Sequence, residues 1–206
     1  MSRGELKRCP WAGSDPLYVA YHDEEWGVPK TDPRALFEKL MLEGFQAGLS
    51  WITILRKRES FRAAFDNFDA EAMANYGQSK IESLLADAAI VRHRGKIEAA
   101  IGNAQAFLKL ESGPGFSQFL WSFVEGKPKQ SRYESMAEIP AKTPESSTLA
   151  KALKDRGFRF CGPTTLHAFM QSVGMVNDHL TSCHRYQACA KLGGAQPLPR
   201  GSMLRG

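Results

Sequence analysis

The stretch "KDRGFRFCGPTTLHAFMQSVG", residues 154–174, is typical of two helices joined by a tight connector. Gly157 follows the first predicted helix, at the position where helices often end on a glycine with positive φ. Gly162 and Pro163 open the second helix, since proline suits the first helical position. The pattern predicts a helical hairpin, and the rest of the chain can be placed around it.

A hairpin of this kind can bind a phosphate. The loop of a helix-hairpin-helix motif offers backbone N–H groups to a DNA phosphate at the N-terminus of its second helix. Lys154, Arg159 and Thr164 would assist that contact. The alternative is an ordinary pair of packed helices that binds no ligand. The hairpin alone does not decide between the two.

Helical periodicity dominates the rest of the chain, and no run of alternating strand residues stands out. Thr31 or Asp32 caps a helix that has Pro33 at or near its first position, followed by apolar residues at Leu36, Phe37 and Leu40. The segment 9–30, rich in aromatic residues, proline and glycine, predicts irregular chain. We therefore predict an all-α fold of many short helices. Further helices are expected near 50–55, 59–65, 69–75, 78–87, 93–110, 115–124, 145–156 and 163–174.

Length and composition bound the domain organisation. With 206 residues, 43% of them hydrophobic, the chain can build one substantial core. We expect one domain over residues 1–192, with two helical lobes separated by the loop 126–144 as the alternative. The Gly/Pro-rich tail, 193–206, predicts disorder. Without an apolar run of about 18 residues or a secretion signal, we expect a cytoplasmic monomer that does not bind a membrane.

The chain is basic, with a net charge of +5 and a pI near 9.1. Basic residues cluster in "LRKR" at 55–58, "VRHRGK" at 91–96 and "KALKDRGFR" at 151–159. Such clusters favour a polyanionic partner such as nucleic acid. The alternative is that they are ordinary solvated helix faces.

Two cysteines and two histidines form a candidate metal site. Cys9 and His22 have twelve residues between them, whereas His179 and Cys183 have three, which places both on one face of a helical turn. Two thiolates and two imidazoles suit tetrahedral Zn²⁺, and four protein ligands leave no open position, so the metal would be structural. The alternative is a satisfied polar histidine and a small buried thiol. Two further residues compete as ligands: His184 and Cys189.

A carboxylate and several aromatic residues form a second candidate site. Glu43 lies among apolar residues in "LEGFQAGLSW", where Gly44 and Gly48 allow close backbone approach. Aromatic rings can stack a flat heterocycle, and a carboxylate can accept hydrogen bonds from its amine. The alternative is that the rings form core and Glu43 is solvent-facing or salt-bridged. The candidate rings are Trp11, Tyr21, Trp26 and Trp51.

Together these stretches closely resemble the type I 3-methyladenine DNA glycosylases of bacteria, over about residues 8–184. The resemblance rests on six motifs and is far more specific than a single short match. The motifs are "CPW" at 9–11, "DPLYVAYHDEEWGVP" at 15–29, "LFEKLMLEGFQAGLSWITIL" at 36–55, "RHRGKIEAAIGNA" at 92–104, "FLWSFV" at 119–124, and "RGFRFCGPTT" with "FMQSVGMVNDH" at 156–179.

The resemblance implies a helix-hairpin-helix fold with a zinc clasp that joins the N- and C-terminal segments. It implies one structural Zn²⁺ per chain, a base pocket in which Glu43 is catalytic, and a Leu49 that enters the space left by a flipped nucleotide. The implied ligands are Cys9, His22, His179 and Cys183. The implied pocket residues are Trp11, Tyr21, Trp51 and Phe45. The implied DNA contacts are Leu49, Gly157, Arg159, Gly162 and Thr164.

Two positions depart from the family pattern. Where Phe45 stands, the family often has a polar residue, so the polarity of the pocket is expected to differ. The wider superfamily usually carries a catalytic aspartate after the hairpin. Here "VNDH" puts Asn177 at that place and Asp178 one residue later. We therefore leave Asp178 out of the catalytic set.

The activity implied is hydrolysis of the N-glycosidic bond of 3-methyladenine in alkylated double-stranded DNA. Its products would be free 3-methyladenine and an abasic site. Because no lysine nucleophile is called for, we expect no strand-cleaving lyase activity. Two other classes compete: a catalytically silent DNA-binding module that uses the hairpin and clasp, and a zinc hydrolase that needs an open position on its metal.

Overall fold

The computed structural model describes residues 6–195, which are mostly helical, as predicted. Two strands of two residues each, β1 (Lys129–Gln130) and β2 (Val176–Asn177), pair in parallel. No helix within 6–195 is long and apolar enough to cross a membrane. The helices are α1 (Pro16–Glu24), α2 (Pro33–Gln46), α3 (Trp51–Ala64), α4 (Ala70–Ala74), α5 (Gln78–Ala86), α6 (Arg94–Glu111), α7 (Phe116–Ser122), α8 (Pro144–Asp155), α9 (Pro163–Ser172) and α10 (His184–Ala195).

Helix starts follow the capping signals of the sequence. The Asp32 carboxylate accepts a hydrogen bond from the Ala35 N–H at 2.7 Å, with Pro33 in the first helical position. Gly162 precedes Pro163 at the start of α9, as predicted. Gly157 follows α8 with φ +91° and so ends that helix as expected. Helices α8 and α9 pack against each other, which confirms the helical pair.

The structure departs from the predicted elements in three places. Helix α1 occupies part of the segment expected to be irregular, and the Asp15 carboxylate caps it by accepting from the N–H groups of Leu17 and Tyr18. Helix α3 is continuous, whereas two shorter helices were expected. Helix α10 runs to Ala195 and so includes the first three residues of the predicted tail. The remaining tail, 196–206, lies outside the described residues.

Helix α2 lies at the centre of the fold, where it packs against α3, α6, α7 and α9. Leu36, Phe37 and Leu40 on its inner face are fully buried, which confirms the apolar pattern of this helix. One continuous hydrophobic core reaches from Tyr21 in α1 to Val176 in β2. A side chain on the inner face of α2 is therefore shielded from solvent unless it lines a cavity.

The loop between α8 and α9 is attached to α2 and α6. The Asn103 carboxamide of α6 accepts from the Arg159 N–H at 2.8 Å and donates to the Arg159 carbonyl at 3.1 Å. Gly44 of α2 faces the same loop, because a Cβ there would lie 3.5 Å from the carbonyl oxygen of Phe160. These contacts hold the hairpin loop at a fixed place beside α2.

The segment after α1 lies directly on the end of α9. The Gly27 N–H donates to the Gln171 carbonyl at 3.2 Å, and the Lys30 N–H donates to the Val173 carbonyl at 3.0 Å. Gly174 has φ +70°, and a Cβ on it would lie 2.5 Å from backbone atoms of both neighbouring residues, Val28 and Pro29. Only glycine fits this crossing without backbone movement.

We expect Gly174→Ala to destabilise the fold strongly, because alanine adds both a positive-φ cost and a backbone clash. Gly157→Ala is the matched control, since its φ is also positive but nothing lies within 4 Å of the added Cβ. Urea unfolding should show a loss of about 1–2 kcal/mol for Gly157→Ala. Gly174→Ala should lose a further ~1–3 kcal/mol. Equal losses for both variants would refute the close crossing.

Candidate active site

A cavity of about 300 Å³ opens between α1, α2, α3 and α9, with the chain at 136–141 as a further wall. It brings together Glu43 and all four candidate rings, three of which come from the N-terminal segment. Its lining is Trp11, Tyr18, Tyr21, Trp26, Glu43, Gln46, Trp51, Met136, Ile139, Pro140, Ala141, Thr164, His167, Ala168 and Gln171. Glu43, Tyr21 and Trp51 thus all face the same cavity.

Glu43 is the carboxylate of this cavity. It lies near the C-terminal end of α2 and is only 3% exposed. Burial raises the pKa of the Glu43 carboxyl, because the charged form loses hydration, and the neighbouring Lys39 ammonium opposes that rise. A hydrogen bond with the Ser172 side chain also favours the charged form. A buried carboxylate held in this way can still accept hydrogen bonds and stabilise positive charge on a ligand.

Lys39 is the neighbour that the sequence reading missed. Its Nζ donates to the Tyr21 hydroxyl at 2.7 Å and lies 3.4 Å from Glu43 Oε1. The same ammonium lies 3.3 Å from the centroid of the Trp51 ring, a cation–π distance. Burial lowers the pKa of Lys39 to about 8, although the Glu43 carboxylate favours the charged form. One side chain thus connects the carboxylate, the phenol and the indole of the cavity.

The aromatic rings enclose the space beside Glu43. The ring centroids of Tyr21 and Trp51 are 5.4 Å apart, and those of Trp11 and Tyr18 are 5.1 Å apart. The Trp51 Nε1–H is buried and has no partner within residues 6–195. Rings in this arrangement form an aromatic wall against which a planar heterocycle can pack.

Phe45 does not lie where we expected it. The structure places its ring in the core, 4.7 Å from the Phe61 centroid and 5.4 Å from the Phe65 centroid, and not on the cavity wall. The physical reason is helix geometry, because residues two positions apart on α2 point to different sides. The next residue, Gln46, lines the cavity instead and supplies a polar amide there.

Helix α9 supplies a wall that the sequence reading also missed. Thr164, His167, Ala168 and Gln171 line the cavity at spacings of three, four and seven residues, which is one stripe of a helix. That spacing could have been found from the sequence. Only Thr164 among them was singled out, as a DNA contact, and the structure places it at the cavity as well.

The four candidate metal ligands converge directly behind the cavity wall, where the His22 ring centroid lies 5.1 Å from that of Trp11 and the His179 centroid lies 4.6 Å from that of Trp26. One ligand atom from each of Cys9, His22, His179 and Cys183 lies within 4.8 Å of the others, and all four residues are buried. The spacing of His179 and Cys183 suggested that they share one helical turn. They lie instead in turns just before α10. The cluster could hold a metal ion and thereby join the first segment to the last.

The outward ring nitrogens of the two histidines have acceptors. His22 Nδ1 is 2.7 Å from Asp23 Oδ1, and His179 Nε2 is 3.1 Å from the Trp26 carbonyl. This leaves His22 Nε2 and His179 Nδ1 for a metal, the usual arrangement for ligating histidines. A hydrogen bond between the thiols lowers the pKa of Cys183 and raises that of Cys9.

The competing ligands do not join this cluster. His184 Nε2 lies 3.3 Å from Asp23 Oδ1, so it faces the carboxylate rather than the two thiols. Cys189 is buried beside Arg185, whose guanidinium nitrogen lies 3.7 Å from its sulfur. Neither residue belongs to the group whose ligand atoms converge.

The predicted DNA contacts lie at the ends of α2, α8 and α9. Lys96 Nζ donates to the Ala47 carbonyl at 2.6 Å, which secures the chain just after α2. Gly48 then turns with φ +83°, and the Leu49 side chain is 41% exposed. The hairpin residues are likewise on the surface: Gly157, Arg159, Gly162 and Thr164.

Comparisons with known proteins identify the family to which the chain belongs. Residues 11–186 match the family model described as methyladenine glycosylase. DNA-3-methyladenine glycosylase 1 of Escherichia coli K12 is 52% identical over 182 residues, which cover 88% of this chain and 97% of that protein. A crystal structure of 3-methyladenine DNA glycosylase I (TAG) is 54% identical, with a TM-score of 0.85, covering 86% of this chain and 98% of that one.

A second solved structure is a variant of 3-methyladenine DNA glycosylase I (TAG) in complex with 3-methyladenine. It is 40% identical, has a TM-score of 0.84, and matches 87% of this chain and 97% of that one. The family-model match, residues 11–186, includes the residues that line the cavity and three members of the cysteine–histidine cluster, whereas Cys9 lies just before it. The chain belongs to the methyladenine glycosylase family.

Proposed function

We propose that this protein is a monofunctional DNA glycosylase that extrudes 3-methyladenine from alkylated double-stranded DNA and hydrolyses its N-glycosidic bond. The products are free 3-methyladenine and an abasic site. The observation that carries this proposal is one cavity in which Glu43, Tyr21 and Trp51 meet at purine dimensions. The cavity is built within one chain, which is consistent with a monomer.

Glu43 acts on the charge of the damaged base. Methylation at N3 gives the adenine a delocalised positive charge, so the base leaves as a neutral molecule and needs no strong acid. The buried Glu43 carboxylate stabilises cationic character in the cavity and accepts hydrogen bonds from the base. Water then attacks the sugar C1′, the C1′–N9 bond breaks with its electron pair going to the departing base, and the proton that the water loses goes to the solvent.

The rings hold the base for this step. Trp51 stacks on it, and Tyr21 and Trp11 close the remaining sides. Stacking a cationic base on indole is worth about 0.5–2 kcal/mol, too little alone to separate damaged from normal adenine. Cavity shape and hydrogen bonding supply the rest of the discrimination.

The DNA duplex is held by the ends of three helices. The α8–α9 loop acts as a helix-hairpin-helix whose backbone N–H groups bind a phosphate, with Arg159 and Thr164 beside it. Leu49, exposed after the turn at Gly48, fills the space that the extruded nucleotide leaves. Because the hairpin contacts the DNA phosphates and not the bases, the affinity does not depend on DNA sequence and falls as the salt concentration rises.

Zn²⁺ is the metal that best fits the cysteine–histidine cluster. Tetrahedral zinc bonds of ~2.3 Å to sulfur and ~2.0–2.1 Å to nitrogen imply sulfur–nitrogen distances of ~3.6 Å. The Cys183 sulfur lies 3.5 Å from His22 Nε2 and 3.6 Å from His179 Nδ1, and the Cys9 sulfur lies 3.6 Å from the same Nδ1. Four protein ligands would make the zinc a structural clasp that ties the N-terminal segment to the turns before α10.

The two competing classes fit less well. A zinc hydrolase needs an open position on its metal, whereas here four side chains converge on one point. A silent DNA-binding module has no use for a buried carboxylate inside an aromatic cavity, because burying that charge costs free energy. Catalysis at the cavity accounts for both features.

Glu43→Gln should lower kcat/KM for release of 3-methyladenine from methylated duplex DNA by at least about tenfold, because the isosteric amide carries no charge. Released bases are quantified by HPLC. Glu38→Gln is the matched control, since Glu38 lies on the same helix but pairs with Arg62. Unchanged release by Glu43→Gln would remove Glu43 from catalysis, and no release by the wild type would favour the DNA-binding module.

Lys39→Met should move the acid limb of the kcat/KM profile to higher pH. The Lys39 ammonium favours the ionised form of Glu43, so its removal raises the pKa of Glu43, and more alkaline solution is needed to ionise the carboxyl. Lys57→Met, in which a lysine bonded to the Ala88 and Ala89 carbonyls is lost, should leave the limb in place. A limb that stays fixed, or moves to lower pH, in Lys39→Met contradicts this coupling.

Metal analysis should find about one zinc per chain, and its removal should lower the thermal midpoint by about 10 °C or more, because a structural metal contributes folding free energy. Cys183→Ser should lose the zinc. The control Cys161→Ser replaces a buried thiol outside the cluster and should keep it. A stripped protein that keeps its midpoint but loses base release would instead support a catalytic metal.

A further inference from the structure

Lys96 is a buried lysine for which the proposed mechanism has no role. It lies in the first turn of α6 and is only 8% exposed. A buried lysine normally pairs with a carboxylate, as Lys39 does with Glu43. Burial lowers the pKa of Lys96, and no carboxylate within residues 6–195 opposes that shift. A positive charge is therefore buried here without a negative partner.

The ammonium group of Lys96 is held by backbone carbonyls instead. Its Nζ donates to the Phe45 carbonyl at 2.9 Å and to the Ala47 carbonyl at 2.6 Å. Both carbonyls lie at the C-terminal end of α2, where the helix dipole is negative and a cation is stabilised. Lys96 thus connects the start of α6 to the point at which the chain leaves α2.

The chain leaves α2 through a tight turn that leads to Leu49. Ala47 has φ −47° and ψ 117°, and Gly48 has φ +83°. These angles match a type II turn, whose first and last residues are here Gln46 and Leu49. The Leu49 N–H donates to the Gln46 carbonyl at 2.6 Å, and the Gln46 amide donates to the Leu49 carbonyl at 3.3 Å. The position of Leu49 therefore depends on the geometry of this turn.

Lys96 favours this turn over its commonest alternative. Turns of types I and II differ mainly in the orientation of the peptide between the two central residues, here Ala47 and Gly48. The Ala47 carbonyl belongs to that peptide, so its hydrogen bond with Lys96 holds the peptide in the type II orientation. Gly48 tolerates the positive φ of type II, but a glycine would permit the other turn as well. The buried ammonium group provides the restraint that glycine does not.

We infer that Lys96 is a positioning residue that holds Leu49 ready to fill the space left by the extruded nucleotide. This rests on the proposed function, because it requires Leu49 to enter the duplex. A leucine on an unrestrained turn would lose conformational freedom when it enters the DNA, and that loss weakens binding. A turn that is already restrained in the free protein avoids much of this cost. Lys96 acts through the turn and not through contact with the base.

This role separates two properties of the protein that a general loss of folding would change together. Lys96 is not among the residues that line the cavity, so the free base should bind equally well without its ammonium group. Release of the base from a duplex also requires Leu49 to enter the base stack. Loss of Lys96 should therefore lower release from duplex DNA alone.

The test measures two quantities on the zinc-loaded full-length protein: kcat/KM for release of 3-methyladenine from methylated duplex DNA, and the Kd of free 3-methyladenine by tryptophan fluorescence. Lys96→Met should lower kcat/KM about tenfold and leave the Kd unchanged. Lys57→Met is the matched control, because its ammonium group also holds two backbone carbonyls, those of Ala88 and Ala89. The control should change neither quantity.

A double-mutant cycle shows whether Lys96 acts through Leu49. In a Leu49→Ala background, Lys96→Met should cost less than about twofold in kcat/KM, because the side chain to be positioned is absent. Lys96→Arg keeps the positive charge and should recover part of the loss. If Lys96→Met does not fold, Lys96→Arg takes its place in the cycle, with a smaller loss that should also vanish in Leu49→Ala.

Three results would refute the role of Lys96: unchanged release from duplex DNA, a weaker Kd for the free base in parallel with weaker release, or the same loss with and without Leu49. The last two would mean that Lys96 only stabilises the fold. A wild-type protein that binds free 3-methyladenine but does not release it from duplex DNA would instead contradict the proposed function, and this inference with it.

Discussion

The structure depends on an ion pair that is buried where water is scarce. Lys39 and Glu43 are one helical turn apart on α2, the most enclosed helix of the fold, and their charged atoms are 3.4 Å apart. Burying either charge alone would cost several kcal/mol, and removing one partner of such a pair typically costs ~3–5 kcal/mol. The pair is retained although an apolar substitute would stabilise the fold as well, which is typical of a functional site.

The surrounding helices and loops hold this ion pair beside an open cavity. Helix α2 is fixed by α3, α6 and α9, and the cavity opens where α1 and the segment 136–141 meet its last turn. The cysteine–histidine cluster joins the chain at Cys9 and His22 to the turns before α10. Since Trp11 and Tyr21 belong to the same N-terminal segment, a metal that fastens this segment also fixes two walls of the cavity.

Much of this could be predicted from the sequence, and the failures have physical reasons. Capping residues Asp32 and Gly157 marked helix ends correctly, because caps act locally. Helix α1 was missed although Asp15 and Pro16 carry the same start signal, since its aromatic side chains obscure any periodic pattern. The metal cluster required the family resemblance, because 156 residues separate His22 from His179 and spacing cannot show that they meet.

Within the site, helix geometry would have corrected two mistakes. Phe45, two residues after Glu43, cannot share its face, whereas Lys39, four residues before it, must. His167 and Asp178 lie eleven residues apart on different elements, so only the folded chain reveals that they face each other.

The most direct test of the central claim is a crystal structure of the protein with 3-methyladenine bound. We expect the base to lie against the Trp51 ring, with its exocyclic amine within about 3.2 Å of a Glu43 carboxylate oxygen. A base bound outside the cavity, or inside it with Glu43 turned away, would contradict the account.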